Sequence, residues 1–396
     1  MPHGSDLPLA MLLIFGTAKL FSEVFEYFRQ PGIVGEILAG ILIGPSVLGW
    51  VQPNELILAF AELGVMFLLF RVGLEVKASE FMKVGASAAL VAVLGVIVPL
   101  GAGWLIARAW QLSQIESIFV GAAMVATSVG ITAQVLAARG VLHARASRVI
   151  LAAAVIDDVL GLIVLAIASS MAQGEMNVFA VALTGALAIG FTILVARWGT
   201  KAMSAIVPRL EHRLSAAEGQ FAVAITLLFG LSLLAVYAGV AAIIGAFLAG
   251  MALAETVGHR VHDLTNGVCE LFVPFFLVGI GLRFDLSAFA NASTFMFAVV
   301  ILIAAVASKL IGCGLGAIRS GKADALRIGI GMIPRGEVGM VVAQIGLAMA
   351  VISESLFGVV VFMSVMTTII APPLLNWAYR DVKALEAGGE QKYRIG

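Results

Sequence analysis

Long apolar runs dominate this sequence almost from end to end. Thirteen of them approach the roughly 20 residues that an α-helix needs to cross a bilayer. The chain is 61% hydrophobic and 12% charged, with a mean hydropathy of +1.07, so most of its surface must face lipid. We therefore predict an all-α polytopic membrane protein with thirteen transmembrane helices. The predicted spans are 6–27, 31–49, 56–73, 84–108, 115–138, 148–172, 177–197, 217–236, 239–255, 268–283, 292–318, 325–350 and 355–378.

Basic residues fall mainly on one side of this arrangement. If the N-terminus is outside, nineteen Lys and Arg residues lie in cytoplasmic connections and two, Arg108 and Arg283, lie in outer ones. Because cytoplasmic loops carry the excess of Lys and Arg, the sequence predicts an N-terminus outside and a C-terminus in the cytoplasm. The formal net charge is +0 without a basic face, which excludes a nucleic-acid partner. The two cysteines, Cys269 and Cys313, lack metal-site spacing.

The seventh span, 177–197, divides the others into two groups of six with opposite orientation, the pattern of an inverted-topology repeat. The fifth member of each group is interrupted at its centre. Proline removes a backbone donor and glycine lowers the cost of non-helical backbone, so both helices are predicted to unwind and cross. The alternative is two intact helices whose glycines permit close packing. The central residues are Thr127, Ser128, Gly130 and Thr132 in one helix, and Pro334, Arg335, Gly336 and Glu337 in the other.

Crossed broken helices bring the partial charges of their ends, of both signs, to the same depth in the membrane. Side chains of opposite charge should compensate these partial charges. Glu337 is predicted to lie at the amide ends and Lys309 at the carbonyl ends, and Arg335 is also predicted to compensate charge at the crossing. A second charged feature is the pair Asp157 and Asp158 within the apolar run AAAVIDDVLGLIVLAI. One charge at the bilayer centre costs about 2.5 to 3.5 kcal/mol or more, so two in succession require a compensating role.

Neighbouring helical residues point about 100° apart, so Asp157 and Asp158 should have different partners. One is predicted to pair with Lys309 and the other to face an aqueous cavity. A structural salt bridge with Lys309 or Arg335 is the alternative. Burial and a second carboxylate both favour the neutral acid, which then exchanges its proton for a cation. Oxygen ligands suit hard alkali ions such as Na⁺ or Li⁺, and they are supplied here by Asp158, Asp157, Ser128, Thr127 and unwound carbonyls.

Several motifs together resemble a known family. They are PGIVGEILAGILIGPSVLGW, AELGVMFLLFRVGLEV, VATSVGITAQVL, AAAVIDDVLGLIVLA, LFVPFFLVGIGL, the Lys309 segment and GMIPRGEVGMVVAQIGL. This set resembles bacterial sodium/proton antiporters of the monovalent cation:proton antiporter superfamily, and is most similar to the thirteen-helix NapA type. The resemblance covers nearly the whole membrane part. It implies an NhaA/NapA-like fold of two inverted six-helix repeats in the bacterial inner membrane.

The resemblance also implies roles for domains and residues. A core domain would move like an elevator against a dimerisation domain in a homodimer. Asp158 would be the essential cation and proton carboxylate, Asp157 would pair with Lys309 when the cation is absent, and Thr127 and Ser128 would lie at the crossing. The Asp-Asp sequence implies electrogenic exchange. The dimerisation domain would comprise residues 1–83 and 201–291, and the core domain residues 84–172 and 292–378. Residues 173–200 would form a linker helix, and residues 379–396 a cytoplasmic tail.

These features predict a secondary active transporter that exchanges Na⁺ or Li⁺ for H⁺ and serves pH homeostasis, without enzymatic activity or a cofactor. Exchange of K⁺ for H⁺ on the same scaffold is the first alternative. A second is an intramembrane aspartyl protease, but its Tyr-Asp and Gly-x-Gly-Asp patterns are absent from the sequence. A sodium-coupled carrier of organic anions, with a similar inverted repeat, is the third.

Overall fold

The computed structural model describes residues 6–28, 30–76, 83–173, 185–187, 190–195, 197–199, 202, 219–239, 241–284 and 291–382. Within these residues the fold consists of helices and connecting turns without a β-strand. The main helices are α1 Asp6–Tyr27, α2 Gly32–Ile43, α3 Glu55–Leu74, α4 Gly85–Ala109, α5 Gln114–Val125, α6 Val129–Ala138, α7 Arg145–Gln173, α8 Gly219–Tyr237, α9 Ala242–Leu253, α10 His259–Leu282, α11 Ala292–Gly316, α12 Lys322–Gly331, α13 Gly336–Ala348 and α14 Glu354–Ala378. In this part of the chain, nine stretches are long and apolar enough to cross a membrane.

Most predicted spans coincide with helices to within a few residues, and two boundaries were wrong. The span 31–49 is helical only to Ile43, because Gly44 and Pro45 end it. The span that we began at residue 268 starts instead at His259. Its polar first turns are helical because Val261, Thr265 and Cys269 form a buried stripe at four-residue spacing. The predicted span 177–197 lies largely outside the described residues.

The helices pack as two groups. The six-helix group contains α1, α2, α3, α8, α9 and α10, and the eight-helix group contains α4 to α7 and α11 to α14. The main contacts between the groups join α3 to α6 and α2 to α14. The helix contacts of the first half recur in the second. In the six-helix group, α2 contacts α10, and its counterpart α9 contacts α3. In the eight-helix group, α4 contacts α5 and α7, and its counterpart α11 contacts α12 and α14. This correspondence is the packing expected of an inverted repeat.

Glycines allow two equivalent pairs of helices in the six-helix group to approach each other closely. Gly40 of α2 and Gly250 of α9 each follow a Leu-Ala pair. A Cβ atom at Gly40 would overlap the carbonyl oxygen of Val278 in α10, and one at Gly250 would overlap that of Phe70 in α3. Because helices in lipid associate through close backbone packing rather than hydrophobic burial, these contacts hold the group together.

Candidate functional site

The interrupted helices cross inside the eight-helix group. Between α5 and α6 the backbone is extended, with ψ of 140° at Ala126 and 100° at Ser128. The backbone N–H of Ser128 donates a 2.7 Å hydrogen bond to the carbonyl oxygen of Pro334, in the break between α12 and α13. The Thr132 hydroxyl donates to the carbonyl oxygen of Gly331 at 2.7 Å. The alternative of two uninterrupted helices is therefore wrong.

Residues at the start of α6 face both helix groups. Thr127 and Ser128 are buried, and the Thr127 hydroxyl has no hydrogen-bond partner among the described residues. Gly130 lies against the six-helix group, where a Cβ atom would approach Val65 to 3.0 Å and the ring of Phe276 to 3.3 Å. The crossing therefore lies next to the boundary between the groups.

Arg335 is fully buried and provides the positive charge at the helix ends. Its guanidinium donates hydrogen bonds to the carbonyl oxygens of Ala126 at 3.3 Å, Ala305 at 2.8 Å and Met332 at 3.5 Å. Ala126 and Met332 cap the C-terminal ends of α5 and α12, where the helix dipoles concentrate negative partial charge. The backbone N–H of Arg335 donates to the Thr367 hydroxyl at 3.2 Å. One side chain thus joins both broken helices to α11.

The prediction that Lys309 answers the carbonyl ends was wrong, because Arg335 makes those contacts. A planar guanidinium with five donors can reach several carbonyls, whereas an ammonium group acts as a compact charge. The side chain of Glu337, which was expected at the amide ends, lies outside the described residues.

Lys309 of α11 instead contacts Asp157 of α7. Its Nζ lies 2.9 Å from Asp157 Oδ1, and both side chains are fully buried. The second oxygen of Asp157 has no hydrogen-bond partner in the described part of the chain. A residue that sequence analysis missed, Gly95 of α4, makes room for the pair: a Cβ there would lie 2.7 Å from Cys313 Sγ and 3.5 Å from Lys309 Nζ. Gly95 is one of 43 glycines, so composition offered no signal for it.

Asp158 faces a different direction, towards the six-helix group. It is 7% exposed and lines a small cavity whose other walls are apolar. Leu69 of α3 and Phe247 of α9 form the six-helix side, and Val129 at the start of α6 belongs to the eight-helix side. The two adjacent acids therefore have different surroundings: one ion-paired inside its own group, the other at the boundary between groups.

The oxygen atoms around this cavity determine what it can hold. In the part of the chain that the structure describes, no group of three or more His, Cys, Asp or Glu side chains could hold a metal ion. Among the described residues that line the cavity, Asp158 is the one with a side-chain oxygen, so a cation there would need further oxygen ligands from the adjacent break, where the Thr127 hydroxyl is unsatisfied. Such ligands suit a hard ion that is bound and released.

Comparison with known proteins identifies the family. The model of the transmembrane sodium/hydrogen exchanger family matches residues 10–380. The chain belongs to this family. It is a multi-span member of the monovalent cation:proton antiporters, as its motifs indicated. The break, the buried acids and the guanidinium described above are thus features of an antiporter.

Similar proteins cover nearly the whole antiporter chain. It is 34% identical to the Na⁺/H⁺-K⁺ antiporter GerN of Bacillus cereus over 93% of this chain and 95% of the relative. It is 33% identical to the high-affinity Na⁺/H⁺ antiporter NhaS3 of Synechocystis over 96% and 91%. The sodium proton antiporter MjNhaP1 of Methanocaldococcus jannaschii has a similar fold, with a TM-score of 0.68, 19% identity and coverage of 97% and 100%.

Proposed function

We propose that this antiporter exchanges Na⁺ or Li⁺ for H⁺ at Asp158, which holds either the cation or one proton but not both. The observation that carries this proposal is the position of Asp158, a nearly buried carboxylate in an otherwise apolar cavity between the two helix groups. A bare charge in such surroundings is unfavourable, so Asp158 moves across the membrane only when it holds a cation or a proton. Competition for one carboxylate couples the two fluxes.

The proposed movement is an elevator-like displacement of the eight-helix group against the six-helix group. The main contacts between the groups are confined to two helix pairs, which supports motion of one group as a unit. We assign dimerisation to 1–83 and 201–291, ion transport to 84–172 and 292–378, a linker helix to 173–200 and a cytoplasmic tail to 379–396. Thirteen spans, a homodimer and a NapA-type assembly complete this proposal.

The proposed orientation follows from charge. The N-terminus lies outside and the C-terminus in the cytoplasm of the bacterial inner membrane, because the excess of Lys and Arg belongs on the cytoplasmic side. On this assignment, the ends of α1, α6 and α14 face the cytoplasm. Bacterial relatives that are named antiporters support the membrane assignment.

A vesicle assay with each alkali ion tests the exchanged cation. Purified protein in vesicles with an imposed pH gradient should dissipate the gradient at lower concentrations of Na⁺ and Li⁺ than of K⁺. The KM for Na⁺ should rise as pH falls, because protons compete for Asp158. Equal responses to K⁺ and Na⁺ would instead favour the broader selectivity that the name of GerN suggests. A response independent of all three ions would reject cation exchange.

Lys309 is expected to determine the charge moved per cycle. When Na⁺ binds, the Asp157–Lys309 pair is proposed to open and Lys309 to release a proton, so that more protons than cations cross. In Lys309→Ala, the buried Asp157 has no positive partner and is stable only in its protonated form. Currents from proteoliposomes on a solid support should then fall towards zero while cation-driven pH changes persist.

Lys322→Ala is the matched control for this measurement, because Lys322 is an exposed lysine at the start of α12. It should retain wild-type currents. Wild-type exchange that ignores membrane voltage would contradict the electrogenic proposal.

A further inference from the structure

A polar cleft separates the two helix groups at the proposed cytoplasmic end. It encloses about 1020 Å³, including solvent at its mouth. Lys19, Ser22, Glu26 and Glu36 line it from the six-helix group, and Gln134 of α6 lines it from the eight-helix group. Gln134 follows Ser128 by six residues, or about 9 Å along a helix axis. The cleft therefore approaches the helix crossing from the cytoplasm.

Glu36 contributes to this cleft a buried carboxylate oxygen that no described residue satisfies. It is 7% exposed, and its Oε2 is buried without a hydrogen-bond partner among the residues that the structure describes. Ser22 of α1 lines the same cleft. Buried carboxylate oxygens are normally satisfied, so an open acceptor that lines a wet cleft indicates a ligand.

Further oxygen atoms lie close to Glu36 in the same cleft. Ser22 and Glu26 are four residues apart on α1, as Gly32 and Glu36 are on α2, so each pair lies on one face of its helix. A Cβ atom at Gly32 would overlap the Ser22 hydroxyl and lie 2.8 Å from Glu26 Oε1. The absence of a side chain at position 32 therefore lets a hydroxyl and a carboxylate approach α2 beside Glu36.

The local charge favours a cation. Two carboxylates, Glu26 and Glu36, line this cleft with one lysine, Lys19, whose charge acts on Glu36 and whose Nζ lies 5.7 Å from the centroid of the Phe15 ring. No ion pair between described residues joins Lys19 to either acid. Arg139, at the rim, directs its guanidinium at the carbonyl oxygens of Asn376 and Tyr379.

We propose that Glu36, Glu26 and Ser22 form a second monovalent-cation site at the floor of this cleft. The site holds a cation between the cytoplasm and Asp158 and thereby raises the concentration of the ion at the inner entrance. The identity of the ion as Na⁺ rests on the proposed function, whereas the oxygen cluster does not depend on it.

Transport from each side tests this site. In inside-out vesicles, Glu36→Gln should raise the KM for Na⁺ at the cytoplasmic face about five-fold, the effect of losing one carboxylate ligand beside a wet cleft. The KM at the outer face, measured in right-side-out vesicles, should stay at the wild-type value. Glu62→Gln, an exposed acid of α3 outside the cleft, is the matched control and should change neither value. An unchanged cytoplasmic KM in Glu36→Gln, or an equal rise at both faces, would overturn the proposal.

A binding measurement separates this proposal from the function of Asp158. Isothermal titration of Asp158→Asn with NaCl should retain a heat of Na⁺ binding, and the double variant with Glu36→Gln should lose it. Ser22→Ala in the same background should weaken it, which provides a second test if the double variant does not fold. If Asp158→Asn alone shows no Na⁺ binding, the second site is rejected even when exchange by the wild type is normal. If the wild type binds Na⁺ but exchanges no protons, the proposed function fails and the site remains supported.

Discussion

Asp158→Asn is expected to abolish cation/proton exchange. Asparagine has nearly the same shape as aspartate but carries neither the charge that binds a cation nor a proton that it can release. A hydrogen bond or ion contact to a charged group contributes about 1.5–3 kcal/mol, so loss of that contact alone should weaken cation binding about 10- to 150-fold, and loss of the titratable proton should stop the coupled exchange. The protein should fold, because the substitution removes a charge from a nearly buried site rather than creating one.

The measurement is the cation-driven pH change in vesicles, together with the melting temperature of the purified variant. Asp324→Asn is the control, because Asp324 is a partly exposed acid of the same helix group, paired with Arg327 at 2.9 Å. It should exchange ions normally. Substantial Na⁺-dependent proton movement by Asp158→Asn would show that another group carries the ions.

Arg335→Met is expected to destabilise the crossing of the broken helices. The substitution keeps a long apolar stem but removes the donor to the carbonyl oxygens of Ala126, Ala305 and Met332, of which Ala305 retains a hydrogen bond from the Ser308 hydroxyl. Each buried acceptor left unsatisfied costs about 1–3 kcal/mol, so the loss at Ala126 and Met332 should reach about 2 kcal/mol or more. A lower melting temperature in detergent and loss of exchange should appear together. Arg335→Lys should be intermediate, because an ammonium group keeps the charge but cannot reach all three carbonyls.

Arg380→Met is the matched control, because Arg380 is exposed and its contact with Asp381 spans 3.6 Å. Its melting temperature should remain near that of the wild type, since surface ion pairs contribute little. An Arg335→Met variant as stable as the wild type would mean that the cost of burying the guanidinium cancels its hydrogen bonds. In that case the backbone bond from Ser128 to Pro334 and other contacts would hold the crossing.

Several features of the site could be predicted from local sequence. Proline at position 334 and small or hydroxyl residues near Ser128 indicated breaks in both helices. Such breaks can be predicted because the loss of a backbone donor and the close packing of small residues depend on only a few neighbouring residues. The adjacent acids indicated two partners, because helical geometry separates neighbours by about 100°. The residues alone left open which acid pairs with Lys309, and the family resemblance assigned Asp157.

Other features could not be predicted in this way. Arg335 was predicted to compensate charge at the crossing, but contact with the carbonyl ends was predicted for Lys309, and the partner that Arg335 contacts, Ala126, is 209 residues away. The space beside the Asp157–Lys309 pair depends on Gly95, which no local pattern distinguishes from other helix glycines. Glu36 was one acid within an apolar helix until the packing of α1 on α2 placed Ser22 and Glu26 beside it.

The sequence by itself determined that this chain spans a membrane, that its helices are interrupted at matched positions and that two acids lie within the apolar layer. Bilayer thickness and the need to satisfy every backbone group act on each segment separately, so those properties can be deduced from single segments. Only the tertiary structure decided how each helix is rotated about its axis, and therefore that Asp158 faces the boundary between groups, whereas the pairing of Asp157 with a lysine 152 residues away was open in the residues and implied by the family resemblance. Rotation is set by packing between distant segments, which no single segment encodes.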